Sequence, residues 1–213
     1  ANTTADVNTA VGYAAMTANT TGTSNVAVGN AALQASSTGS YNTSIGHASL
    51  YANTTASNNT AVGYYSMVAN TTGYDNTAVG YLTLDANTTG INNVALGAYA
   101  LTANTTAHNN VAIGRSALGA NVDGTENVAV GYLAADASTT TNGLTAIGFQ
   151  ALSAATGVGN TAVGKDAGIN ITSGTNNICI GRSVNPSAAD ADEQVVLGYN
   201  FTGNGDSKVS IGS

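Results

Sequence analysis

Apolar and polar residues in this chain follow one short pattern that returns from end to end. Asn8-Thr9-Ala10-Val11-Gly12 is met again as Asn25-Val26-Ala27-Val28-Gly29, as Asn76-Thr77-Ala78-Val79-Gly80 and as Asn160-Thr161-Ala162-Val163-Gly164. The residue before the glycine is always aliphatic, as in Val11, Ile45, Leu96 and Ile211. Two places earlier stands Thr or a β-branched aliphatic, with a small residue between, Ala in most cases. Alternation of this kind, rich in β-branched residues, predicts a short strand. The closing glycines are Gly12, Gly29, Gly46, Gly63, Gly80, Gly97, Gly114, Gly131, Gly148, Gly164, Gly181, Gly198 and Gly212. Their spacing is 17 residues through the first nine, then 16, 17, 17 and 14. A repeat this short cannot bury an apolar face alone and must stack on its neighbours, which predicts a solenoid. The expected fold is all-β, a parallel β-roll of about thirteen coils.

Counted from the glycine, the −1 and −3 side chains share one face of the strand, and we expect them to be buried together with the residue at +4. That +4 residue is Met16, Leu33, Leu50, Met67, Leu84, Leu101, Leu118 or Leu152 in successive regular coils. It predicts a second short strand or extended segment after the glycine corner. A polar turn such as Asn19-Thr20-Thr21-Gly22 or Asn70-Thr71-Thr72-Gly73 then closes the coil, its Gly offering a positive φ. At −4 the chain repeats an asparagine: Asn8, Asn25, Asn42, Asn59, Asn76, Asn93, Asn110, Asn127, Asn160 and Asn177. Leu144, Gln194 and Lys208 interrupt the file. An amide stacked on its own copy at the strand spacing of about 4.8 Å predicts a structural ladder, since a catalytic Asn has no reason to be copied so often. Residues 1–184 read as the regular roll and 185–213 as irregular coils of the same roll, marked by the acidic turn Asn185 to Glu193 with its one proline.

Composition narrows the function. The net charge is −7, with only Arg115, Lys165, Arg182 and Lys208 as cations, so the basic footprint of a nucleic-acid binder is missing. The same balance argues against docking on anionic membranes, and no apolar run reaches the length of a membrane span. The single cysteine, Cys179, sits in the small-residue slot of its strand and reads as a buried hydrophobe. The chain lacks an initiator methionine and a signal-peptide pattern, which predicts a fragment or processed segment of something longer. A thin, Ala-rich core without disulfide or metal predicts self-association.

Catalytic chemistry finds little to build on. His47 and His108 fall at different repeat positions, the acids are scattered, and no Cys/His cluster has metal-ligand spacing. No enzyme, cofactor or metal is expected. The +1 row, which takes Tyr, Phe, His, Asn, Arg and Lys, is expected to face solvent. Its candidate binding residues are Tyr13, Tyr64, Tyr81, Tyr132 and Tyr199, because aromatic rows can stack on sugar faces; the alternative is that they merely pack on one another.

The signature Asn-[Thr/Val]-Ala-[Val/Ile]-Gly followed by small residues resembles the head repeat of trimeric autotransporter adhesins. Its longer form, Ala-Val-Gly-Tyr-x-x-Leu-x-Ala-Asn-Thr-Thr-Gly, is similar to arrays in bacteriophage tail fibres and related virion fibres, and the resemblance covers about residues 7–213. It implies a left-handed parallel β-roll and a side-by-side homotrimer. It further implies an extracellular place on a virion fibre or cell surface. The partners implied are a second and third copy of the chain and a host glycan or protein, without nucleic acid or membrane insertion. The adhesin repeat is usually shorter by three residues, which should enlarge the polar turn here. Two other readings compete with a host-contacting fibre: a purely structural spacer, and an ice-binding β-solenoid built on threonine files.

Overall fold

The computed structural model describes residues 4–212. The chain forms two compact units, Ala1–Asn109 and Asn110–Ser213, each a stack of the same coil. The first holds β1 (Thr9–Val11), β2 (Val26–Val28), β3 (Thr43–Ile45), β4 (Thr60–Val62), β5 (Thr77–Val79) and β6 (Val94–Leu96). The second holds β7 (Val111–Ile113), β8 (Val128–Val130), β9 (Thr145–Ile147), β10 (Thr161–Val163), β11 (Ile178–Ile180), β12 (Val195–Gly198) and β13 (Val209–Gly212). Within each unit successive strands pair in parallel and in register, Thr60 opposite Thr77 in one and Thr161 opposite Ile178 in the other. The fold is therefore an all-β parallel β-solenoid with one strand per coil. Among the described residues no helix is long and apolar enough to cross a membrane.

The inside of the coil differs from the expectation. The buried strand residue is the small one at −2, as in Ala27, Ala61, Ala112 and Cys179, while −1 and −3 look outward. Opposite the Ala file lies the +4 file, Leu33, Leu50, Met67, Leu84, Leu101, Leu118 and Leu152, all fully buried. A coil this narrow has room for one long side chain facing a methyl group, so the β-branched rows are excluded. The strand alternation was read correctly, but its inner face is the other one.

The segment after the glycine is also not a strand. It is a run of turns in which +2 and +4 take left-handed backbone angles, for example Ala31 (φ 56°) and Leu33 (φ 50°), or Leu82 (φ 48°) and Leu84 (φ 51°). The residue at −5 does the same, as at Asn58 (φ 61°) and Glu126 (φ 61°). Such angles cost an L-residue roughly 1–2 kcal/mol each, so stacking must impose them. It does so through hydrogen bonds that run both ways along the stack. Ala31 N–H reaches back to Tyr13 O (2.8 Å), and Gly29 N–H back to Val11 O (2.8 Å). Met16 N–H reaches forward to Ala32 O (3.1 Å), and Thr9 N–H forward to Asn25 O (2.9 Å).

The repeat glycine is dictated by sterics. At Gly29 φ is +139°, and a Cβ there would lie 2.7 Å from the carbonyl carbon of Gly46 in the next coil. The glycine of the polar turn has a different reason from the one expected. Gly22 and Gly73 are not in the positive-φ region, and Ala56, Ala107 and Thr141 take the equivalent place elsewhere.

Two files of amides fasten the turn to the strand. Gly73 O accepts the side-chain amide of Asn59 (2.9 Å) and that of Asn70 (2.9 Å); Gly90 O accepts those of Asn76 (2.8 Å) and Asn87 (3.1 Å). In the −4 file the Oδ1 takes the backbone N–H of the −4 residue in the next coil, as Asn59 Oδ1 does from Asn76 (3.1 Å) and Asn127 Oδ1 from Leu144 (2.9 Å). The second file, at +7, links amide to amide directly: Asn70 Nδ2 to Asn53 Oδ1 (3.0 Å), Asn87 to Asn70 (2.7 Å) and Asn104 to Asn87 (2.8 Å). The irregular coil replaces both amides at once, with buried Leu144 at −4 and buried Ala155 at +7. Gly157 O in that coil accepts Asn160 Nδ2 instead (2.9 Å). At the C-terminal end Gln194 takes the −4 place; its N–H goes to Asn177 Oδ1 (3.0 Å) and its side chain to Ser187 Oγ (2.6 Å).

Candidate functional site

The strand alternation that puts Ala inside turns two rows of aliphatic and Thr side chains outward on every coil. These are half-buried or exposed, with Ile45, Val79, Ile147, Ile178 and Ile180 among the exposed large hydrophobics. Each unit thus carries a stripe of Val and Ile along its sheet. A contiguous exposed apolar patch on a soluble domain marks an interaction surface.

The +1 row follows each corner glycine, and its side chains stand one above another because the coils stack in register. In the first unit His47 stacks on Tyr64 (centroids 5.3 Å apart, 21° between planes) and Tyr64 on Tyr81 (5.4 Å, 9°). In the second, Tyr132 stacks on Phe149 (5.3 Å), with Arg115 over Tyr132 (5.9 Å) and Lys165 over Phe149 (5.4 Å). Arg182 lies over Tyr199 (5.7 Å). Tyr64, Tyr81 and Tyr132 therefore turn their faces to a neighbouring ring or cation and offer solvent chiefly their edges and hydroxyls. Tyr13 is the most open of the five, at 81% exposure. Desolvation first, then the charge and hydrogen bond of Tyr65, raise the Tyr64 phenol above its ordinary value.

Beside this column the first unit has an open niche of about 340 Å³ lined by Ala31, His47, Ala48, Tyr51, Tyr65 and Val68. Tyr65 stands nearly perpendicular both to Tyr64 (4.4 Å, 80°) and to His47 (5.3 Å, 85°). Reading the sequence by rows singled out the +1 positions and missed Tyr51 and Tyr65. The available signal was a break in two rows: Tyr51 is the aromatic of the +5 file in its unit, and Tyr65 follows three alanines at +2.

In the turns Thr71 Oγ1 donates to Thr88 O (3.0 Å) and Thr88 Oγ1 to Thr105 O (3.1 Å), so the +8 hydroxyls serve the stack. The +9 threonines Thr21, Thr38, Thr55, Thr72, Thr89 and Thr106 are exposed. The turn asparagines Asn19, Asn53, Asn70, Asn87 and Asn104, which begin Asn-x-Thr triplets, are buried as members of the +7 file.

Titratable groups are mostly engaged in structure. Asp192 Oδ1 accepts Thr175 N–H (2.6 Å) and its Oγ1 (2.9 Å), and Glu193 accepts Ser207 Oγ (3.0 Å). His108 Nδ1 accepts the N–H of Ile91 (3.3 Å). Among the described residues no three His, Cys, Asp or Glu are placed to hold a metal ion. Burial pushes the Cys179 thiol up to about 12, which keeps it protonated and unreactive. Desolvation raises the Asp136 carboxyl against a smaller opposing backbone hydrogen bond. Compared with protein-family models, with curated proteins and with solved structures, the chain matches none of them.

Proposed function

We propose that the chain is a non-enzymatic segment of an extracellular fibre, on a virion or a cell surface, in which three copies pack side by side and contact a host surface or space the binding tip. The observation that carries this reading is the stripe of Val and Ile on the outer face of each unit's strands. Every coil repeats it, as a continuous seam between copies requires. Covering what remains exposed of one such side chain contributes about 1 kcal/mol, multiplied along the stack. The resemblance to trimeric adhesin heads and tail-fibre arrays supplies the number three.

Light scattering of the native protein tests the assembly. A mass of three chains is expected, and a stable monomer at nanomolar concentration overturns the reading. Replacing Val62 and Ile147 with Lys places charges on the outer face and leaves the Ala–Leu interior alone. The double variant should fall to monomers while keeping its β-type circular dichroism.

The spacer reading has its own support, in the rings of the +1 row that turn their faces to one another rather than to a ligand. Replacing Tyr64 and Tyr81 with Ser distinguishes the two. Loss of adhesion to host cells or glycan arrays by an intact oligomer favours contact, and unchanged adhesion favours spacing.

A further inference from the structure

The niche in the first unit lies where the variable +2 row changes from small to large side chains. At +2 the coils carry Ala14, Ala31 and Ala48 and then Tyr65, Leu82 and Tyr99, so the wall built by the larger side chains stops short at Ala48. Tyr51 and Val68 at +5 form the opposite bank, and His47 closes the side toward the ring column. Stacking fixes His47 against Tyr64 and sets Tyr65 across the direction of that column. Tyr51, at 42% exposure, is in no ring pair among the described residues.

The volume of about 340 Å³ lies at the lower end of small-molecule sites, which span roughly 300–1,000 Å³. The floor is methyl groups, the walls are two phenols and an imidazole, and no lining residue is an acid, Lys or Arg. A lining with no Asp, Glu, Lys or Arg gives a charged ligand no permanently charged partner. A phenol presents an apolar ring and a polar tip, and imidazole can donate or accept. That combination matches a molecule with one C–H face and a rim of hydroxyls.

We propose that the niche bounded by His47, Tyr51 and Tyr65 binds one neutral pyranose unit of a saccharide. The binding belongs to a single chain and uses none of the residues on the outer face of the sheet. It rests on the fibre reading only for where such a sugar would be met.

The test is a titration of the full chain with methyl glucoside, methyl galactoside, methyl mannoside and N-acetylglucosamine, followed by the NMR ring signals of His47 and the tyrosines. At least one of these should shift the His47, Tyr51 and Tyr65 signals saturably, with a dissociation constant on the order of millimolar. Tyr51→Phe should weaken binding, and Val158→Ser, at an exposed position of the second unit, should leave it unchanged. The decisive variant is Ala31→Leu, which fills the niche without touching an aromatic. Leu82 and Leu133 already occupy the same row at φ 48° and 53°, so the substitution fits the backbone. Ala31→Leu should weaken binding by about tenfold or more, with the thermal transition and oligomeric mass unchanged.

Silence of all four sugars overturns the proposal, as does an affinity that Ala31→Leu leaves intact. Choline or N-acetylneuraminate saturating the same signals in preference overturns it as well, in favour of a charged ligand. None of these failures affects the assembly reading, which is scored by mass.

Discussion

At the scale of single residues the coil is held by positions that admit almost no substitute. Gly63 has φ +139°, and a Cβ there would stand 2.7 Å from the Gly80 carbonyl carbon, where the nearest atoms are all backbone and nothing flexible can yield. Gly63→Ala should cost about 3 kcal/mol or more, or prevent folding, as read by chemical denaturation. The paired amides behave differently because they can be removed together. Asn76→Leu alone strands the N–H of Asn93, now served by Asn76 Oδ1 (3.0 Å), and should cost about 2–3 kcal/mol. Adding Asn87→Ala should cost less than the sum of the two single changes, since Leu144 and Ala155 already show an apolar pair in one coil. A double-mutant cycle giving simple additivity would contradict this. Asp136 supplies a pH dependence of known sign. Its folded pKa is raised, so the protonated form is favoured in the fold. The stability it contributes is present below its unfolded value and is lost as pH rises through the folded one. Asp136→Asn should therefore melt higher than the parent at pH 7, with the difference shrinking toward pH 3.

At the scale of the coil, sequence and structure can be weighed against each other. The period, the strand and the parallel register were legible, because β-branched alternation closed by glycine has few other outcomes. Which face points inward was not. Hydrophobicity favours Val62 over Ala61 as core, yet the width of the coil decides for Ala61, and width is a property of the closed loop rather than of the strand. The left-handed residues were illegible for a similar reason: Leu84 has no intrinsic preference for φ 51° and adopts it because the coils on either side hold its backbone there. In the candidate site the +1 row could be read, whereas the niche depended on which neighbours were small. Deleting residues 64–80, one whole 17-residue unit, should leave a folded roll with a similar melting temperature. Deleting eight residues within it should not, because the Ala and Leu files then lose their partners. Circular dichroism and thermal scans of both deletions measure the difference.

At the scale of the whole molecule, the inward and outward faces divide the work. The Ala, Leu and Asn files make each coil fit the next, and the outer Val and Ile rows leave each unit with apolar surface still to cover. Assembly and folding should therefore be linked: the melting temperature of the native protein should rise with its concentration, and that of the Val62/Ile147 lysine variant should not. A last consequence concerns the bonds between coils, which point alternately forward and backward. In an α-helix the peptide dipoles add, and each end acquires a partial charge that attracts ions or demands charged caps. Here the dipole of Ala31 N–H toward Tyr13 opposes that of Met16 N–H toward Ala32, and the same opposition recurs between Ala48 N–H toward Asn30 and Leu50 N–H toward Ser66. Because the two directions offset one another in part, a stack built this way gathers polarity more slowly than a helix does. Lengthening the array by whole repeats extends its reach with a smaller change in the field at its ends than a helix of equal length would bring.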